Sequence, residues 1–149
     1  RVDVLVCTEN PYKLTVAENF KAQLEKLGFG VKIREYEKSE DFFEALDEGH
    51  YSFYIGETRL TNNCELSEFF SSEGKLNYGI NEEMYEIYSI YKNGETNTKV
   101  FVENFSAKIP FLPLFYRKAV VSVNPNITGV GNGSSLYSSV SDWNMPKEQ

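Results

Sequence analysis

Two strand–helix–strand units set end to end between Val2 and Gly56 limit this chain to few folds. Val2 to Thr8 is a short, almost wholly apolar run, the pattern of a central strand covered on both faces. Asn10 and Pro11 then open a helix, since Asn caps well and Pro suits the first turn. From Tyr12 to Leu27 the apolar residues Val16, Phe20, Leu24 and Leu27 recur at steps of three and four, and Gly28 stands where a C-cap belongs. Gly30 to Glu37 alternates Val31 and Ile33 with Lys32 and Arg34, which predicts a strand with one wetter face near a sheet edge. Ser39 is placed to cap a helix over Glu40–Glu48 that buries Phe42, Phe43, Ala45 and Leu46, and Gly49 ends it. A third strand spans Tyr51–Gly56. Such units imply parallel strands joined by right-handed crossovers, with the first and third strands as neighbours.

The remainder is more helical. Leu66–Ser71 has room for one or two helical turns. Asn81 is a cap for Glu82–Lys92, with Met84, Ile87, Tyr88 and Tyr91 on one face. A further helix is expected from Thr96 to Lys108 with Val100, Phe101 and Phe105 inward, stopped by Pro110. Phe111–Tyr116 and Ala119–Val123 read as further strands, with Pro113 at an edge or a strand start. Beyond Asn124 the chain is rich in Gly, Ser and Asn, and Asn144–Gln149 reads as a frayed tail. With 149 residues, 41% hydrophobic and no linker-like tract, one α/β domain over 1–149 is expected.

Charge and composition exclude several classes of function. A net charge of −7 opposes nucleic acid and anionic membrane surfaces, both of which demand basic patches. No apolar run approaches the roughly 18 to 20 residues needed to span a bilayer. Cys7 and Cys64 have no metal-ligand spacing. The single histidine, His50, precedes the third strand, about 20 Å from that strand's exit at about 3.3 Å per residue, so no Ser–His or Cys–His dyad forms there. Acidic pairs such as Glu82/Glu83 complement a helix start. The alternating glycines of Gly129-Val-Gly-Asn-Gly lack the Lys and the strand–helix context of a phosphate loop. Asn-x-Ser/Thr triplets at Asn104, Asn126 and Asn132 are expected by chance in so Asn- and Ser-rich a chain. No cofactor, no metal site and no enzyme chemistry is indicated.

The strongest site candidate is the polar loop beyond the third strand. Gly56, Glu57, Thr58, Arg59, Asn62 and Asn63 follow an aromatic, β-rich run, and open α/β sheets bind ligands just beyond the carboxyl ends of their strands. Arg59 supplies a five-donor fork among hydroxyls and amides. Cys7 and Cys64 both fall towards that edge, so either a disulfide between them or two free thiols is open.

Several segments resemble the second lobe of extracellular solute-binding proteins of the oligopeptide/dipeptide/nickel class. They are Val16-Ala17-Glu18-Asn19-Phe20 through Gln23-Leu24, Gly28 and Val31-Lys32-Ile33, then Gly49-His50-Tyr51-Ser52, Ile109-Pro110-Phe111-Leu112-Pro113-Leu114-Phe115-Tyr116 and Asp142-Trp143. The resemblance runs from Val2 to Trp143. It implies a three-layer α/β lobe of the type II periplasmic-binding-protein-like fold with a mixed β-sheet, and a chain that is the carboxy-terminal lobe of a two-lobed receptor. It also implies a peptide or other small polar solute as ligand, an amino-terminal lobe and ABC permease subunits as partners, and a place on the extracellular side of the cytoplasmic membrane. There the parent would be a periplasmic or cell-surface lipoprotein, tethered to the membrane only through a segment outside this chain. Where peptide binders carry Trp and Asp in this loop, the chain has Glu57-Thr58-Arg59-Leu60, so Glu57 takes a ligand amine or Arg59 an acidic group. A stand-alone α/β interaction module and a small α/β enzyme are the competing readings.

Overall fold

The computed structural model describes residues 1–60, 65–116, 122–131 and 140–144. The protein is mixed α/β. Its elements in order are β1 (Val2–Cys7), α1 (Pro11–Lys26), β2 (Val31–Tyr36), α2 (Ser39–Asp47), β3 (Phe53–Ile55), α3 (Ser67–Phe70), α4 (Glu82–Lys92) and α5 (Thr98–Lys108). The strands form a parallel sheet in the order β2-β1-β3, with Val4 opposite both Ile33 and Phe53.

Alternation along β1 divides the core between two helices, because successive side chains point to opposite faces of a strand. Val4 and Val6 join Ala17 of α1 and Ile55 of β3 on one face. Leu5 and Cys7 meet Phe42, Ala45 and Leu46 of α2 on the other. All four β1 residues are buried, which is why the run reads as apolar throughout. β2 keeps a half-exposed pattern, as expected of an edge strand.

Helix α1 begins with the Asn10 side chain accepting from the Tyr12 N–H and with Pro11 in its first turn. It ends in a Schellman turn: Phe29 N donates to Leu24 O (3.1 Å) and Gly28 N to Glu25 O (3.0 Å), with Gly28 at φ +87°. The face presented to the sheet differs from the expected stripe. Ala17 is fully buried and Leu14, Val16 and Phe20 pack in the same cluster, whereas Leu27 is 73% exposed. Leu27 falls at the C-cap, where the chain has left the helical path and the stripe no longer holds.

The start of α2 also corrects the sequence reading. Ser39 lies within the helix, and the preceding Lys38 offers no side-chain cap. Glu9, in the loop after β1, supplies it: its Oε1 accepts from both the N–H and the hydroxyl of Ser39, each at 3.0 Å. These two bonds, with Lys13 nearby, hold the Glu9 carboxyl below the usual range.

A second core lies among the later helices. Phe70, Met84, Tyr88 and Phe101 are buried together, with Phe69, Phe105 and Phe111 packed against them. Asn81 and Asn97 cap α4 and α5 through their side chains. Val100, expected inward, is 39% exposed. Leu76 joins the two parts of the molecule: its N–H donates to Glu68 O, and its carbonyl accepts from the Tyr54 hydroxyl at 3.1 Å.

Three further expectations are corrected. The described sheet is wholly parallel with three strands, so it is not mixed. Phe111–Tyr116 forms no strand; residues 112–116 are exposed, and Pro110 and Pro113 each remove a ladder donor. Of Ala119–Val123, residues 119–121 lie outside the described residues, and Val123 is in no regular element. Asn144 is tied down, exchanging backbone hydrogen bonds with Thr128 (2.9 and 3.2 Å) in an antiparallel bridge, while residues 145–149 lie outside the described set. Gly129, in the glycine-rich stretch, has a packing reason instead of a phosphate one: at φ +82° it passes so close to the Asp142 carbonyl that no Cβ would fit.

Candidate functional site

The order β2-β1-β3 places a topological switch at β1. From it the chain crosses one way through α1 to β2, and then back over through α2 to β3. The crevice outside the carboxyl ends of β1 and β3 is where open sheets of this kind take ligands. Two loops meet there, Thr8–Asn10 after β1 and the one that begins at Gly56 after β3.

The loops are joined by polar side chains. Asn10 Nδ2 donates to Glu57 Oε2 at 2.7 Å, and Lys13 Nζ stands 3.9 Å from the same oxygen. The side chains of Lys13 and Glu57 are 18% and 40% exposed, so the pair sits at the surface with the lysine the better covered. Thr8 turns inward, its hydroxyl donating to the Tyr36 carbonyl at 3.2 Å and tying the β1 loop to β2. Asn10 therefore has two tasks: Oδ1 caps α1, and Nδ2 holds Glu57.

Of the residues predicted for the site, Gly56 serves packing, because a Cβ there would stand 3.1 Å from both Leu76 Cδ2 and Tyr54 Cε2. Glu57 is brought into the polar junction just described. Thr58 is half-buried; Arg59 is exposed and makes no ion pair or hydrogen bond with the described residues. Asn62 and Asn63 lie outside the described residues, as does Cys64. Cys7 is a free thiol, 2% exposed and packed on the α2 face, so the disulfide alternative is not realised. Glu9, Asn10, Lys13 and Ser39 were not singled out from the sequence as site residues. Their only signal was position, at the ends of β1 and β2.

The loop is moored again at its far end. Glu65 Oε1 lies 2.8 Å from Lys92 Nζ and 2.7 Å from the Ser67 hydroxyl, and Lys92 Nζ is 3.0 Å from that hydroxyl. A serine beside a lysine can form a hydrolytic dyad, but only if the lysine is neutral enough to take a proton. Here the hydrogen bond and charge of Glu65 push Lys92 up, so it stays an ammonium and Ser67 is not activated. His50 is at the opposite pole, its carbonyl accepting from Arg34. No group of three or more His, Cys, Asp or Glu side chains among the described residues is placed to hold a metal. No described helix is long and apolar enough to cross a membrane.

Two concavities lie elsewhere. An open groove of about 630 Å³ runs between α2 and residues 72–78, bordered by Glu40, Phe43, Asp47, Glu73 and Tyr78. A second of about 560 Å³ follows α1 and β2. Neither includes Glu57 or Arg59. Grooves this open are surface relief between elements, so the polar junction is the better site candidate on fold geometry.

Tyr54, the last aromatic before the loop, carries a testable charge effect. Burial first, then the neighbouring Tyr51 and Tyr78, push its hydroxyl up from 10.0 to about 12. A raised acid favours the folded state only while protonated. The contribution is complete below pH 10 and is lost as pH rises towards 12, by about 2–3 kcal/mol for a shift of this size. Urea unfolding at pH 9 and pH 12 should show that loss, and Tyr54→Phe should reduce it.

Comparison of the chain with protein-family models, with curated proteins and with solved structures gives no match.

Proposed function

We propose that this chain is the carboxy-terminal lobe of an ABC-importer solute-binding receptor, of the type II periplasmic-binding-protein-like fold. It captures a peptide or other small polar solute with the loops beyond β1 and β3. The observation that carries the reading is the Asn10–Glu57–Lys13 junction at the strand-order switch, where two loops offer hydrogen-bonding groups of both charges at an open edge. On this reading the amino-terminal lobe completes the site by closing over that edge, and permease subunits receive the loaded receptor outside the cytoplasmic membrane. The chain is a binder and not an enzyme.

The test uses the complete two-lobed receptor. Native mass spectrometry identifies the solute it carries, and calorimetry then measures that solute against Arg59→Ala. Loss of a charge-assisted contact of about 1.5–3 kcal/mol predicts roughly 10- to 150-fold weaker binding with little change in stability. Unchanged affinity removes Arg59 from the site; a receptor that carries and binds no solute contradicts the proposal.

A second reading, a protein-interaction module, is favoured by one observation. Ile109, Leu112, Leu114, Phe115 and Tyr116 are between 49% and 80% exposed along one segment. Sedimentation that depends on protein concentration, abolished by Phe115→Ser, would support it over the receptor.

A further inference from the structure

Asparagine is a chemically labile side chain, and most so before glycine, where no Cβ shields the next main-chain nitrogen from the asparagine Cγ. Among the described residues, Asn93 alone is followed by glycine. Asn93 is the C-cap of α4, Gly94 lies just beyond it, and both are exposed.

A Schellman turn at the end of α4 keeps the two reacting groups apart. Gly94 N donates to Tyr91 O and Glu95 N to Ile90 O, each at 3.0 Å, with Gly94 at φ +75°. Asn93 lies at ψ −4°, which turns the Gly94 nitrogen away from the Asn93 Cβ, and its Nδ2 donates to Glu95 Oε1 at 3.3 Å. Ring closure needs the Gly94 N–H deprotonated and brought round to Cγ, so the turn must open first. Helix ends open locally at far lower cost than buried cores.

We infer that Asn93 is a deamidation site gated by fraying of the last turn of α4, and that its product loosens the contacts of Lys92 with Glu65 and Ser67. The Gly94 nitrogen, its proton lost to water, bonds to Asn93 Cγ. The Cγ–Nδ2 bond breaks and ammonia leaves, giving a five-membered succinimide. Water then adds to one of the two ring carbonyls and breaks that carbonyl's bond to nitrogen. Addition at Cγ gives aspartate; addition at the former main-chain carbonyl gives isoaspartate, with one extra carbon in the backbone. The overall change is amide and water to carboxylate and ammonia.

Either product sets a carboxylate at a helix C-terminus, where the dipole opposes it, and close to the Glu95 carboxylate. Isoaspartate also lengthens the backbone where the two Schellman bonds must close. The turn that shielded the site is therefore weakened by the reaction. Lys92 is the last residue of α4, and its ammonium reaches Glu65 Oε1 at 2.8 Å and the Ser67 hydroxyl at 3.0 Å from that turn. The modification thus acts on the far mooring of the loop after β3, whatever that loop binds.

The test incubates the whole chain at pH 8 and 37 °C, native and in guanidinium chloride, and follows its peptides by mass spectrometry after digestion. Deamidation adds about 1 Da, and isoaspartyl methyltransferase reports the iso product. Asn93 should react before every other described asparagine. The native chain should react at least about 10-fold more slowly than the denatured one, the ratio for a turn closed about nine-tenths of the time. Asn93→Gln should remove the early gain in both conditions. In the modified chain, separated by ion exchange, hydrogen exchange at Gly94 and Glu95 should quicken. Its Glu65 and Ser67 amide signals should move towards those of Lys92→Ala. Equal rates in the two conditions would overturn the gating. Another described asparagine reacting first, or no gain at Asn93 in the native chain over the weeks in which the denatured chain reacts, would overturn the site. Unmoved Glu65 and Ser67 signals in the modified chain would overturn its effect on Lys92.

Discussion

Phe70→Ala should destabilise the chain by about 3–5 kcal/mol, the usual cost of emptying a buried aromatic site. Phe70 is 3% exposed and is the hub of the second core, with rings of Tyr88 at 5.2 Å, Phe111 at 5.8 Å, Phe101 at 6.0 Å and Phe105 at 6.5 Å. Two of these contacts, with Phe101 and Phe105, are edge-to-face, a geometry that adds to simple area burial. Removing the ring would leave neighbours on α4, α5 and the segment after α5 without their common partner, and stiff rings collapse poorly into a void. Urea unfolding measures the loss directly, and a change below about 1 kcal/mol would mean the cluster is not a packed core.

Leu5→Ala is expected to cost about 2–5 kcal/mol. Leu5 is fully buried on the α2 face, in the cluster that holds Phe42, Ala45 and Leu46, and β1 is the strand both others pair with. At about 2–4 °C per kcal/mol for a domain of this size, the melting temperature should fall by roughly 4–20 °C. Leu76 links this core to that of Phe70 through Tyr54 and Glu68, so both variants should shift a single transition. Two separated transitions in either variant would show that the cores unfold independently.

What was legible in the sequence was local. The uninterrupted apolar run of β1, the Asn10–Pro11 start and Gly28 end of α1, and the Asn81 cap of α4 each follow from residues within a few positions of one another. The parallel strands followed from two compact strand–helix–strand units, and β1 and β3 pair as expected. Phe111–Tyr116 misled because apolar and aromatic content mimics a strand, but Pro110 and Pro113 each remove a ladder donor; Phe111 packs on the second core instead, and residues 112–116 are exposed. For the candidate site, the polarity of the loop after β3 could be read, but its partners could not. Asn10 reaches Glu57 across 47 positions, and Glu9 caps Ser39 across 30. Contacts of that range exist only once the sheet has brought the strand ends together, and no short-range pattern encodes them.

The central claim is that the carboxyl edge of β1 and β3 binds a small polar solute. Backbone amide mapping of the chain against a set of di- and tripeptides tests it most directly. The account predicts saturable shifts concentrated at Thr8–Lys13 and Gly56–Leu60, with the α2 groove and Ile109–Tyr116 unaffected. Shifts confined to the groove bordered by Phe43 and Tyr78 or to Ile109–Tyr116, or no shift with any peptide at millimolar concentration, would contradict it.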